Sequence, residues 1–443
     1  MKKIFFTIQI LIGCSLAAFG QGSNAMSLQQ CIDYAMTNQP KVQNAVIDEE
    51  IANVKRHEVR ASGLPQVSGS LDVKDFIELP TSLIPAEFFG GPPGTFLGVK
   101  FGTRFNTTLG LDASQLLFSS DFLIALEASK TYMELSQKAI QRTKIDVTVA
   151  VAKAYYSVLV SNERMNLVNA NVDRLKKLMD DTKALNDNGF VEKIDLDRVT
   201  VAYNNLLVEK DKIQRLVDLG NALLKFQMGM DQATVITLSD KLADVSFTVT
   251  ASTDKFDYTK RVEYSLFQTQ THLAEFQLQK DKLSYLPNLA LFGSWNYSAY
   301  GNDWKPFDPK TNWYPMALIG VHMGVPIFNG GMKHYKIQES KLSLLKAQND
   351  LKYMQQGIDV ELSSSRTMLQ NASVTLETQK KNIELAENIY KTAKLKYEQG
   401  VGSNLEVLNA ETALKEAQTN YFGALYDAVI AKIDYDKANG VLK

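Results

Sequence analysis

Among its 443 residues the chain has only 11 prolines, 2 cysteines and 4 histidines, and each scarcity excludes something. The prolines stand at 40, 65, 80, 85, 92, 93, 287, 306, 309, 315 and 326, so residues 94–286 and everything after 326 contain none. Proline breaks helix interiors, and these two tracts are where long helices fit. His57, His272, His322 and His334 show no metal-ligand spacing and there is no cysteine pair, so neither a metal nor another cofactor is expected. The phosphate-binding loop, the nucleophile elbow and the dinucleotide fingerprint are all missing, and Gly90-Gly91-Pro92-Pro93-Gly94 reads as a plain loop; no enzyme is expected. Neither sign of charge dominates: Lys plus Arg number 48 and Asp plus Glu 49, for a net charge of −1, which leaves no footprint for nucleic acid. Past the N-terminus no run of about 18 apolar residues occurs, which excludes helical membrane spans.

What the chain does have begins at its N-terminus. Met1-Lys2-Lys3 is basic, Ile4 to Ala18 is apolar, and small residues precede Gln21. This is the layout of a secretory signal peptide over residues 1–20. A second reading of the same stretch takes Leu11-Ile12-Gly13-Cys14 as a lipobox with Cys14 lipidated; apolar sequence continuing to Phe19 favours cleavage after Gly20. Cys31 is then the only cysteine of the exported chain and reads as a small buried hydrophobe near the start of the first helix.

The chain is one unit written twice. A shift of 222 lays Gly63-Leu64-Pro65-Gln66-Val67 on Tyr285-Leu286-Pro287-Asn288-Leu289. A shift of 210 lays Leu117-Phe118-Ser119-Ser120 on Ile327-Phe328-Asn329-Gly330, and one of 211 lays the stretch from Asn188 on that from Gln399. Each half reads helix, strand, loop, strand, very long helix, glycine turn, helix. The first repeat spans 21–228 and the second 257–443, with a Thr/Ser-rich connector at 229–256. Pro40 falls early in the first helix.

Strands are expected at about 65–77, 99–115, 287–299 and 314–327. Val67, Gly69, Leu71 and Val73 alternate with Gln66, Ser68, Ser70, Asp72 and Lys74, and Phe101 to Leu111 alternate with Gly102 to Asp112 in the same way. Period-two alternation over about ten residues suits a membrane β-barrel, apolar outside and polar inside. A half-buried soluble sheet shows the same pattern. Two features favour the barrel: the Pro/Gly-rich loops at 78–98 and 300–313, and an aromatic cluster, Trp295, Tyr297, Trp304, Trp313 and Tyr314, that suits a membrane-interface girdle. Four strands cannot close a barrel, for which about eight is the usual minimum, so several chains are required.

Long helices are expected at about 119–188, with neither Gly nor Pro, and about 332–399, with only Gly357. Heptad-like steps run through Leu175, Leu178, Thr182 and Leu185, and through Ile383, Ala386, Tyr390, Ala393 and Tyr397. Both helices end at a glycine, Gly189 or Gly400, before a shorter helix returns.

In these features the chain resembles the TolC-like outer-membrane efflux family. The stretch YEQGVGSNLEVLNAETALKEAQTNYFGALYDAVIAKIDYDKANG at 397–440 looks like the family's last hairpin and helix, and LPQVSGS at 64–70, QLLFSSD at 115–121 and PIFNGG at 326–331 look like its helix–strand junctions. The resemblance implies a mainly α fold with a membrane β segment: a homotrimer whose twelve-stranded β-barrel, set in outer-membrane lipid, continues into a long α-helical barrel across the periplasm. It also implies a periplasmic adaptor and an inner-membrane pump, with this chain as the passive exit duct for small molecules or metal ions. Protein secretion through the same channel is an alternative, and a periplasmic coiled-coil scaffold a more distant one.

Two sets of site residues carry over. Gly189, Phe190 and Val191, with Gly400, Val401, Gly402 and Ser403, match the family's adaptor-docking hairpin tips; a plain interhelical turn is the bland account. Asp195 and Tyr397 match two members of its periplasmic gate, but the position of the family's gate arginine holds Gly402. Glu406 is the counterpart of Asp195 in the other repeat, so a trimer would gather six carboxylates, two from each copy, that favour cations. The bland account of each is an acid complementing a helix dipole.

Overall fold

The computed structural model describes residues 25–242, 256–305 and 308–442. The expected leader, with Cys14, and most of the connector from residue 243 onward lie outside the described residues.

A two-residue strand β1 (Ala25–Met26) leads into α1 (Leu28–Asn38) and α2 (Pro40–Ala61). Ser27 and Gln30 close a reciprocal capping box at the start of α1. Gln39 then takes an extended backbone, φ −71° and ψ 121°, as a residue ahead of proline prefers. Pro40 therefore does not lie within the first helix; it opens the second, where its missing N–H costs nothing.

Four strands form one antiparallel sheet: β2 (Gln66–Asp75), β5 (Phe105–Phe118), β7 (Asn288–Gly301) and β8 (Trp313–Gly324), in the order β2-β5-β7-β8. Between β2 and β5 a separate hairpin, β3 (Thr81–Pro85) with β4 (Phe96–Lys100), occupies the expected loop. The strand expected from 99 thus begins only at Phe105, because Gly102 turns the chain at φ +109°.

Register decides what each face carries. Leu71 pairs with Leu109, Leu109 with Tyr297, and Tyr297 with Pro315; one step along, Gly69, Leu111, Trp295 and Ala317 make the next row. Val67, Ala113, Gly293 and Ile319 make a third. The opposite face carries Ser68, Asp112, Ser294 and Leu318, then Ser70, Gly110, Asn296 and Met316. One face is thus apolar and, in the single chain, open: Val67 is 71% and Ile319 79% exposed.

The remaining elements are helices: α3 (Ser120–Asp187), α4 (Lys193–Met228), α5 (Val262–Leu283), α6 (Met332–Glu398) and α7 (Asn404–Ala438). A short strand, β6 (Thr237–Leu238), pairs in parallel with β1. The residues group into two compact units, one made of 44–142 with 257–359 and holding the sheet, the other of the remaining residues.

In the second unit Cys31, Ala35, Val151, Tyr155, Val158, Leu224 and Met228 form a core. The buried Tyr155 hydroxyl donates to the Met26 carbonyl at 3.1 Å, and the Leu28 N–H to Asp240 Oδ2 at 2.8 Å, tying the N-terminal segment down. Burial, with Asp240 nearby, pushes the Cys31 thiol up to about 11. At pH 8 an aromatic disulfide reagent should therefore leave native Cys31 unlabelled and modify it fully after denaturation; rapid native labelling would contradict this packing.

Candidate functional site

The two helix hairpins end in the same backbone device. At the first, Gly189 has φ +77°, its N–H bonds to Asn186 O at 2.9 Å, and Phe190 N–H reaches Leu185 O at 2.9 Å. At the second, Gly400 has φ +74°, its N–H bonds to Tyr397 O at 3.0 Å, and Val401 N–H reaches Lys396 O at 3.0 Å. Both are Schellman motifs, in which a left-handed residue turns the chain and satisfies the last carbonyls of the helix. Asn186 Nδ2 further closes the first tip by donating to Val191 O at 2.9 Å. Ser403 caps α7, its side chain accepting from Glu406 N–H at 3.2 Å.

This shared turn lifts apolar side chains into solvent. Phe190 and Val401, at equivalent positions, are each 78% exposed. Ile194 and Leu405, four residues on, are also exposed. Sequence reasoning missed this second pair, although the shift of 211 that aligns the tips also aligns them. Between α6 and α7 a groove of 610 Å³ runs past Leu385, Ile389, Glu406, Asn409 and Ala413.

The gate residues are placed as follows. The Asp195 carboxylate sits in the first turn of α4 and is met by Arg198 on the same helix at 3.4 Å. Tyr397 packs beside the cluster of Ala386, Tyr390, Val407, Ala410 and Leu414, and its hydroxyl is shut off from solvent with no hydrogen-bond partner. Asp195 and Tyr397 are not hydrogen-bonded to each other in the single chain. Asn404, which no periodicity singled out, joins the two tips instead: its Nδ2 donates to the Asp195 carbonyl oxygen at 3.3 Å.

Further polar contacts tie the same hairpins together. Asn171 Nδ2 donates to Gln418 Oε1 at 2.8 Å, and the Arg174 guanidinium lies 5.0 Å from the centre of the Tyr390 ring. Glu209 is held by Arg164 at 3.2 Å and by Lys415. Burial raises the Glu209 carboxyl, but Lys415 and Arg164 outweigh it and hold the group below its ordinary value. Glu411 is buried with one oxygen unpartnered; desolvation raises it, partly offset by Arg174, Lys394 and Lys415.

The aromatic cluster is divided by the fold. Trp295 and Tyr297 stack edge to face at 5.4 Å near the middle of β7 on the apolar face, not at a strand end. Trp313 opens β8 on that face, and Trp304 lies in the loop after β7, 5.7 Å from the Phe105 ring. Tyr314 pairs with Ser298 and so stands on the face opposite to Trp295, Tyr297 and Trp313, since odd and even positions of one strand cannot share a face.

The sequence profile of the outer membrane efflux protein family matches residues 31–209 and 277–441, one match in each half. The chain belongs to this family. It resembles the outer membrane protein TolC of Escherichia coli, 21% identical over 452 residues covering 100% of this chain and 87% of TolC. It also resembles the alkaline protease secretion protein AprF of Pseudomonas aeruginosa, 20% identical over 435 residues covering 95% of this chain and 86% of AprF. Its fold matches the crystal structure of the open state of the Neisseria gonorrhoeae MtrE outer membrane channel, with a TM-score of 0.74 at 16% identity, covering 93% of this chain and 88% of that one. This efflux protein therefore resides in the outer membrane and extends into the periplasm. Its relatives are channels and not enzymes.

Proposed function

We propose that three copies of this efflux protein assemble so that their four-stranded sheets close one twelve-stranded barrel, continuous with a barrel of helices below it. The observation that carries this reading is the sheet itself: β2 and β8 are both open edges, and the exposed face is apolar. An unpaired edge cannot lie in lipid, and edge-to-edge pairing of β8 with the next copy's β2 removes every edge at once. The assembly serves as a passive exit duct for small molecules or metal ions, driven by an inner-membrane pump through a periplasmic adaptor. The exposed apolar pairs Phe190 with Ile194 and Val401 with Leu405 are the surface that the adaptor would meet. Use for protein secretion is a second reading, favoured by the likeness to AprF.

In this reading the hairpin tips ring the periplasmic mouth, and Asp195 and Glu406 set its charge. In planar bilayers the double variant Asp195→Ala, Glu406→Ala should lose cation preference or gain conductance relative to the parent. Unchanged reversal potential and conductance would sink the assignment of this end as the gate.

A further inference from the structure

The arginine that the family's gate pattern calls for is missing here, and the turn has no room for it. A Cβ added to Gly402 would stand 2.9 Å from Lys396 Cβ and 3.1 Å from the Tyr397 nitrogen. The Gly402 N–H is itself spent on the Lys396 carbonyl at 3.1 Å, so the turn is drawn tightly onto α6. A side chain at 402 would force it apart. The Asp195 carboxylate is taken up by Arg198 of its own helix, and the Tyr397 hydroxyl has no partner. The ionic groups near the tips therefore do not join one hairpin to the other.

Asn404 does. It is the first residue of α7, is 4% exposed, and reaches a carbonyl 209 positions away in the other repeat. Its Oδ1 is buried and unpartnered. Burying an amide costs free energy unless its groups are hydrogen-bonded, and here the single contact to Asp195 O is all that offsets the cost. An apolar residue of similar size would fill the position without that burden, so packing alone does not account for an asparagine here.

We propose that Asn404 is the clasp of this entrance: a neutral hydrogen bond from its Nδ2 to the Asp195 carbonyl holds the α6–α7 hairpin against the α3–α4 hairpin at the last turn, in place of an ion pair. The Asn171–Gln418 and Glu209–Lys415 contacts keep the hairpins together further along when the clasp is released. This rests on reading the tips as the entrance.

The test is single-channel recording of the full-length protein in planar bilayers, with unboiled gels to verify assembly of each variant. Asn404→Asp keeps the size but sets a carboxylate against a carbonyl oxygen, and should raise conductance several-fold at pH 7. At pH 4 the protonated carboxyl donates from its O–H, and conductance should fall back toward the parent. Asn404→Leu should conduct more at both pH values. The parent at both pH values controls for the charged groups around the clasp, which are Asp195 and Arg198 on α4, Lys396 on α6 and Glu406 on α7. Parent-like conductance of both assembled variants at pH 7 would overturn the clasp, as would an Asn404→Asp increase that persists undiminished at pH 4. If the Asp195→Ala, Glu406→Ala double variant shifts selectivity while both Asn404 variants stay silent, only the clasp falls. If all three are silent, the reading of the tips as entrance falls with it.

Discussion

Ile319→Arg should keep this efflux protein from appearing in the outer membrane as a heat-modifiable assembly. Ile319 is near the centre of β8, pairs with Gly293 on the apolar face, and is 79% exposed in the single chain. An arginine on a lipid face near the bilayer midplane costs about 2–4 kcal/mol per copy, and the proposed threefold assembly would take that cost three times. The sum is comparable to the whole stability of an ordinary domain. The matched control is Ser294→Arg, one strand over on the opposite face, where the new side chain stands across from Asp112 on the side that the proposed barrel turns toward its lumen. Membrane fractionation with boiled and unboiled gels should show loss of the assembled band for the first and retention for the second. Equal assembly of both would mean that the apolar face does not meet lipid.

The second large effect is expected from a single methyl group. Gly229 ends α4 at φ +70°, and a Cβ there would lie 2.6 Å from Asn38 O and 2.8 Å from Gln39 Cα, both backbone atoms at the break between α1 and α2. The contact cannot relax by rotating a side chain. It is also braced by Gln39, 5% exposed, whose Nε2 donates to Phe226 O at 3.2 Å and to Gln227 O at 2.9 Å. The left-handed backbone alone costs a non-glycine residue about 1–2 kcal/mol, and forcing atoms into a packed site adds about 1–3 kcal/mol. Gly229→Ala should therefore lower the melting temperature of the detergent-purified protein by several degrees and expose the α1–α2 break to protease. Gly189→Ala, where φ is +77° but no atom lies within 4 Å of the added Cβ, should lose only the backbone part. Indistinguishable melting of the two variants would show that the Asn38–Gln39 contact contributes nothing.

Much of the fold could be read from residue order. The alternation from Val67 to Val73 reflects the pleat, which sends neighbouring side chains to opposite faces whatever the partner strand. Gly189 and Gly400 betray the hairpin tips because a left-handed turn after a helix admits few other residues. Pro40 and Gly102 were harder. Proline marks a helix start or a helix break equally well, and a glycine within an alternating run interrupts it only if its φ turns positive, which the run itself does not reveal. Sequence proximity groups Tyr314 with its aromatic neighbours, whereas strand parity sets it on the opposite face from Trp313.

The candidate site was legible in outline only. Phe190, Val401 and Asp195 come from the family resemblance, and Glu406 from laying the second half on Asp195, since equivalent positions of a repeat meet equivalent surroundings. Asn404 could not be found this way: its counterpart, Lys193, shares no such contact, and a polar residue at a helix start looks like an ordinary terminal residue. Its meaning arises from a carbonyl 209 residues away.

The sequence by itself determined the long helices, the four strands of the main sheet and the glycine turns at the hairpin tips, because these depend on backbone preferences and periodicity within a few residues. Tertiary structure alone decided which residues meet across the repeats: the register that gathers four strands' apolar positions into one lipid-ready face, the glycine pressed against Asn38 and Gln39, and the asparagine that joins two hairpin tips. Those are contacts between positions far apart in the chain, and no local rule carries the distance between them.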